Sequence, residues 1–142
     1  MIRSAIIVSA LSLAACADTR DNTISSMNFL QEAVDPVCVR SALADEEGFA
    51  ALTPIMDRGG AKQIEARFNE DLPVTVIVRR LNNNTAEVSV FTRVPGDIDP
   101  LARREAAFAV EAADEAIYRQ CTADGQINPG DPDVVIETQD LE

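Results

Sequence analysis

Three cysteines, twenty-four carboxylates and no histidine are the chemical inventory of this 142-residue chain. Without histidine the chain lacks the usual general base, the commonest metal ligand and the side chain that titrates near neutrality. A serine or cysteine nucleophile therefore has no imidazole partner, and no G-x-S-x-G run occurs. Gly59-Gly60 is not followed by Lys-Ser/Thr at phosphate-loop spacing. A glycosidase pair depends on carboxylate separation in space, and with so many acids no pair stands out in sequence. The run Asp45-Glu46-Glu47 does not read as a cation site. Three adjacent helical residues cannot all face one ion, and their spacing matches no calcium loop. Residues 124–133 are rich in oxygen ligands but lack the D-x-[DN]-x-[DN]-G order. Arg79, Arg80 and Arg93 would suit an anion, but strand alternation puts Arg79 and Arg93 on one face and Arg80 on the other. The expectation is no catalytic residue, no metal, no cofactor and no enzymatic activity, with any ligand-binding residues unspecified.

The first twenty residues carry a different message. Arg3 is the only charge in residues 1–17, and Ala5–Leu13 is apolar apart from Ser9 and Ser12. A basic start, a short apolar run and small residues after it describe a secretory signal. The run is too short to cross about 30 Å of hydrocarbon as a helix. Leu13-Ala14-Ala15-Cys16 resembles the lipobox of bacterial lipoproteins. The resemblance covers residues 1–16 only. It implies cleavage before Cys16, a diacylglyceryl group on its sulfur and acylation, palmitate included, of its new amino terminus. Ala15-Cys16-Ala17 also fits ordinary A-x-A cleavage, which would leave Asp18 first. The lipobox implies a domain tied to the cell envelope and facing the periplasm. Ala17, not an acidic residue, follows Cys16. In the family this favours the outer over the inner membrane. Asn83-Asn84-Thr85, a glycosylation sequon by pattern, is accidental in such a protein.

Either processing route removes Cys16 from thiol chemistry. Cys38 and Cys121 then remain in an oxidising compartment, where an even count predicts a disulfide. A Cys38–Cys121 bridge closes a loop of more than 80 residues. The chain-entropy relation puts its contribution at about 4–5 kcal/mol. No CxxC occurs, so thiol exchange has no support. The net charge is −12, and the signal would remove one arginine and no acid. Such a surface disfavours nucleic acid and anionic lipid, which call for basic patches.

The domain plan is a signal over 1–15, a polar linker over 16–25, one α+β domain over 26–122 and a tail over 123–142. Asp35-Pro36, Thr53-Pro54 and Asp99-Pro100 each read as a helix start. The first residue caps orphan amides, and the proline loses nothing at the first helical position. Met27, Leu30, Ala33 and Val34 share a helical face, so a helix over 26–34 is also expected, broken by Pro36. A helix follows from Pro36 to Ala44. A short one from Thr53 is ended by Gly59-Gly60. Over 100–120, Ala106, Val110, Ala113, Ile117 and Cys121 mark a long helix. Leu101 and Phe108 fall on its far side and call for a second contact.

Between the helical segments, Leu72, Val74, Val76 and Val78 alternate, as do Val88, Val90, Thr92 and Val94. Asn82-Asn83-Asn84 supplies the turn, so 72–81 and 85–94 form a hairpin. Closing it at Leu81 and Thr85 sets Val78 opposite Val88, Val76 opposite Val90 and Arg79 opposite Glu87. Strands near 62–68 and 133–137 would extend the sheet, the latter as an edge strand or a docked tail. The expected fold is a small antiparallel sheet packed against N-terminal helices and the long C-terminal helix.

The function expected is a non-catalytic envelope lipoprotein acting through protein–protein contacts. The alternative is a small-ligand or peptide-binding module using the uncovered sheet face of Thr75, Ile77, Ser89 and Phe91. A flat apolar patch would favour the first and a concave pocket the second.

Overall fold

The structure is a computed structural model that describes residues 21–123 and 135–138. Strand β1 spans Asp21–Leu30, and helix α1 spans Pro36–Asp45. Strands β2 (Phe49–Ala50), β3 (Met56–Arg58), β4 (Ala61–Phe68), β5 (Leu72–Arg80) and β6 (Ala86–Pro95) follow. Helix α2 runs Pro100–Cys121, and β7 covers Val135–Thr138. The architecture is α+β, as expected. One antiparallel sheet has the order β2-β4-β5-β6-β1-β7, with β3 also paired to β4.

The hairpin has the expected register. Val78 pairs with Val88, Val76 with Val90 and Arg79 with Glu87. The Leu81 amide donates to the Thr85 carbonyl at 2.9 Å, and Asn84 takes the left-handed backbone, φ 62°, that asparagine tolerates. The single polar rung, Thr92, is buried and donates its hydroxyl to the Pro73 carbonyl at 2.6 Å. Strand β4 covers the other side of β5, with Ile64 opposite Val76 and Ala66 opposite Val74.

Both Asp-Pro starts hold. Asp35 accepts from the Val37 amide and Asp99 from the Ala102 amide, each at 2.9 Å. Helices α1 and α2 lie against one face of the sheet. Val39 and Leu43 from α1, with Ala106, Ala109, Val110 and Ala113 from α2, are fully buried there. The alanines let the α2 backbone approach the valine ladder closely. Burying one valine side chain there stabilises the fold by roughly 1.5–3 kcal/mol.

Three expectations are corrected. The first concerns residues 26–30, read as helix, and residues 21–25, read as linker. Both belong to β1, which pairs with β6 along its whole length, Asp21 opposite Pro95 and Leu30 opposite Ala86. The hairpin edge needs a neighbouring strand, and that demand outweighs the helical spacing of Met27, Leu30, Ala33 and Val34. Only one N-terminal helix, α1, remains. The second concerns Thr53, which caps no helix. Its hydroxyl accepts from the Glu65 amide at 3.0 Å and its amide donates to the Glu65 carbonyl at 2.9 Å. Thr53-Pro54 thus runs extended beside β4. Gly59-Gly60, with φ of 56° and 85°, forms the tight turn joining β3 to β4 instead of ending a helix. The third concerns Leu101, which is 78 % exposed and finds no second layer. Phe108, 59 % exposed, touches only the edge of the core through Phe68, ring centroids 5.9 Å apart.

Candidate functional site

The chemistry that the fold assembles lies between β1 and α2. Along β1, Ile24, Ser26, Asn28 and Leu30 point to the helical layer, and Ser26 is 1 % exposed. On α2, Asp114 falls four residues after Val110 and three before Ile117, inside the apolar stripe, and is 4 % exposed. The Ser26 hydroxyl donates to the Asp114 carboxylate. Asn28 lies close to the same carboxylate, although its amide nitrogen is buried without a hydrogen-bond partner among the described residues.

Burial pushes the Asp114 carboxyl up to about 6. Ser26 and Asn28 pull it down and the charge of Glu111 adds to the rise, but desolvation outweighs both. One turn on, Tyr118 is also raised, by burial first and then by the Asp114 charge. A carboxylate accepting from a serine hydroxyl is the arrangement of a base beside a nucleophile. Here both groups are closed off from solvent, so the pair joins a strand to a helix and does not face a substrate.

Where β1 and α2 end, a groove of about 300 Å³ opens, lined by Phe29–Glu32, Tyr118, Thr122 and Ala123. The Ala123 amide donates to Glu32 Oε1 at 2.8 Å and the Thr122 hydroxyl to the Tyr118 carbonyl at 2.6 Å. The volume lies at the small end of the range for ligand pockets.

The outer sheet face carries the expected surface residues. Thr75 stands opposite Phe91 and Ile77 opposite Ser89, all half-buried. Strand β1 extends this face with Met27 beside Ser89 and Phe29 beside Glu87, 56 % and 62 % exposed. On this face Met27, Phe29, Ile77 and Phe91 are interleaved with Ser25, Thr75, Ser89 and Glu87.

The remaining predicted residues are dispersed. Cys38 and Cys121 are bonded, Cα atoms 5.7 Å apart, and link the first turn of α1 to the last residue of α2. Cys16 and the segment 124–133 lie outside the described residues. Glu46, from the acidic run, binds Arg119 at 2.8 Å. Among the described residues no group of three His, Cys, Asp or Glu side chains is placed to hold a metal ion. Arg80 bonds Asn84 at 3.1 Å. Arg79 and Arg93 share the outer face but sit at opposite ends of the hairpin, about 20 Å apart at the usual strand rise. The Ser26–Asp114 pair and the groove were missed in sequence. The available signal was an aspartate at core spacing on an otherwise apolar helix face. Against known proteins, no family model, curated protein or solved structure matches the chain.

Proposed function

We propose that the chain is an exported lipoprotein, anchored to the cell envelope through acylated Cys16. In this reading it acts without catalysis, by contact with another envelope protein. The observation that carries the contact reading is the uncovered sheet face, where Met27 and Phe29 stand exposed and Ile77 and Phe91 half-buried among polar neighbours. Monomeric proteins seldom leave such patches in water without a partner. The Cys38–Cys121 pairing supports the oxidising compartment that the signal implies. A peptide-binding role is the second reading, favoured by the groove at the end of β1.

The test labels bacteria with radioactive palmitate and places a photo-crosslinking residue at Met27 or, as a control, at exposed Glu115. Expected are acylation of the wild type, its loss in Cys16→Ser, and a discrete crosslink from position 27 alone. Unlabelled wild-type protein would remove the anchor. Equal crosslinking from both positions would remove the contact reading.

A further inference from the structure

Helix α2 buries one stripe against the sheet and leaves another in water. Leu101, Arg104, Glu105 and Phe108 recur at helical spacing and share the side turned away from the alanine-rich core stripe. All four are exposed, Leu101 at 78 % and Phe108 at 59 %. Two of them are held from below. Phe108 leans on Phe68, which packs in turn on Phe49 with ring centroids 5.0 Å apart. Glu105 accepts from the Asn69 side-chain amide at 3.0 Å. Arg104 enters no ion pair among the described residues.

The segments outside the described residues join the fold elsewhere, at Asp21, Ala123, Val135 and Thr138. Asp21, Val135 and Thr138 belong to β1 and β7, whereas Phe108 reaches toward β4, three strands from β1. Ala123 lies fifteen residues beyond Phe108, about 22 Å at the helical rise.

The order of the four residues decides the occupant. A two-fold axis passing between Arg104 and Glu105, perpendicular to α2, lays a second α2 antiparallel across the first. Position 101 then faces 108, and position 104 faces 105, in both directions. Leu101 meets the partner's Phe108, and Arg104 meets the partner's Glu105. The patch is thus its own complement in both hydrophobicity and charge, as a two-fold contact requires. Glu115 and Arg119 continue the stripe but fall beyond the overlap. Both copies are acidic, which opposes approach from a distance. Physiological salt screens that repulsion beyond about 8 Å, and the touching pairs lie inside this range.

We propose that the chain pairs with a second copy of itself through the Leu101, Arg104, Glu105 and Phe108 stripe of α2. The contact needs neither the anchor nor the outer sheet face, which stays free on the other side of the molecule. Two helical turns from each copy fall short of the roughly 1,200–2,000 Å² of a stable complex, so the dimer is weak and reversible.

The test sediments the full chain carrying Cys16→Ser, which has no acyl group, from micromolar to millimolar concentration in physiological salt. A monomer–dimer equilibrium with no larger species is expected, because a two-fold contact closes on itself. Leu101→Ser should weaken association at least about tenfold, since the loss counts in both copies, with an unchanged melting temperature. Arg104→Glu and Glu105→Arg each set like charges across the axis and should each weaken it about fivefold. Mixed in equal amounts, these two variants regain opposite charges at both crossings and should associate more tightly than either alone. A monomer at every concentration, growth past the dimer, or an unaffected Leu101→Ser would overturn the proposal. So would a mixture no tighter than its components, which would show that the two charges do not meet.

Discussion

Asp114 is a carboxylate held where solvent cannot compensate its charge, and its hydrogen bond to Ser26 only partly offsets that cost. Its folded value of about 6 lies above the ordinary 3.8, so between these the folded state holds the proton more tightly than the unfolded chain. Stability from this group is therefore present below about pH 4 and lost as pH rises through about 6. The difference is of the order of 2–3 kcal/mol. Asp114→Asn retains an acceptor for Ser26 and removes the charge. At pH 7 the variant should be as stable as the wild type or more stable, and the wild type should gain on it as pH falls from 7 to 4.5. Urea unfolding of both proteins across that range measures the difference; a constant gap would contradict it. Ser26→Ala leaves the buried carboxylate without its donor. It should cost about 1–3 kcal/mol at pH 7, with a smaller loss at pH 4.5, where the group is neutral.

At the level of elements, legibility followed local agreement. The β5–β6 hairpin was readable because valine alternation, an asparagine turn and the Arg79–Glu87 pair all point to one register. Helices α1 and α2 announce themselves through Asp35-Pro36 and Asp99-Pro100. Strand β1 did not, for a physical reason: two of its inward positions, Ser26 and Asn28, are polar. They break the two-residue period while Met27, Leu30, Ala33 and Val34 mimic a helical one. Those polar residues are the ones that meet Asp114, so the buried pair and the misread strand have a single cause. Thr53 behaves similarly, since its bonds to Glu65 are tertiary and outweigh a local capping signal. The disulfide acts at this scale too, because it ties α1 to the far end of α2 across 83 residues. Replacing both cysteines by alanine should lower stability by about 2–5 kcal/mol, seen as a fall in melting temperature. The same protein with and without reductant gives an independent reading, and identical melting curves would contradict the effect.

For the whole molecule, the end at which the chain enters the sheet is decisive. Asp21 lies opposite Pro95, beside the turn that leads to α2, whereas Leu30 lies opposite Ala86, beside the Asn82–Asn84 tip. The two ends are about 30 Å apart at the usual rise for a ten-residue strand. A lipidated Cys16 would place the 96–99 turn toward the bilayer and the hairpin tip away from it. Fluorophores at Asp97→Cys and Asn84→Cys test this arrangement. Brominated lipid should quench the first more strongly, and equal quenching would contradict it.

Strand β1 also begins at Asp21, which leaves four residues between it and Cys16. Five backbone steps reach at most about 18 Å, less than the length of the sheet. If Cys16 is acylated as proposed, so short a tether would hold the domain close to the membrane surface. The domain would travel laterally with its lipid, and the whole of β1 would stay within about 50 Å of the lipid surface. A partner rooted in the same bilayer would meet the outer sheet face at an effective concentration approaching the millimolar range. A weak contact would then suffice for occupancy, and release of the anchor would dissolve the complex without any change at the contact itself.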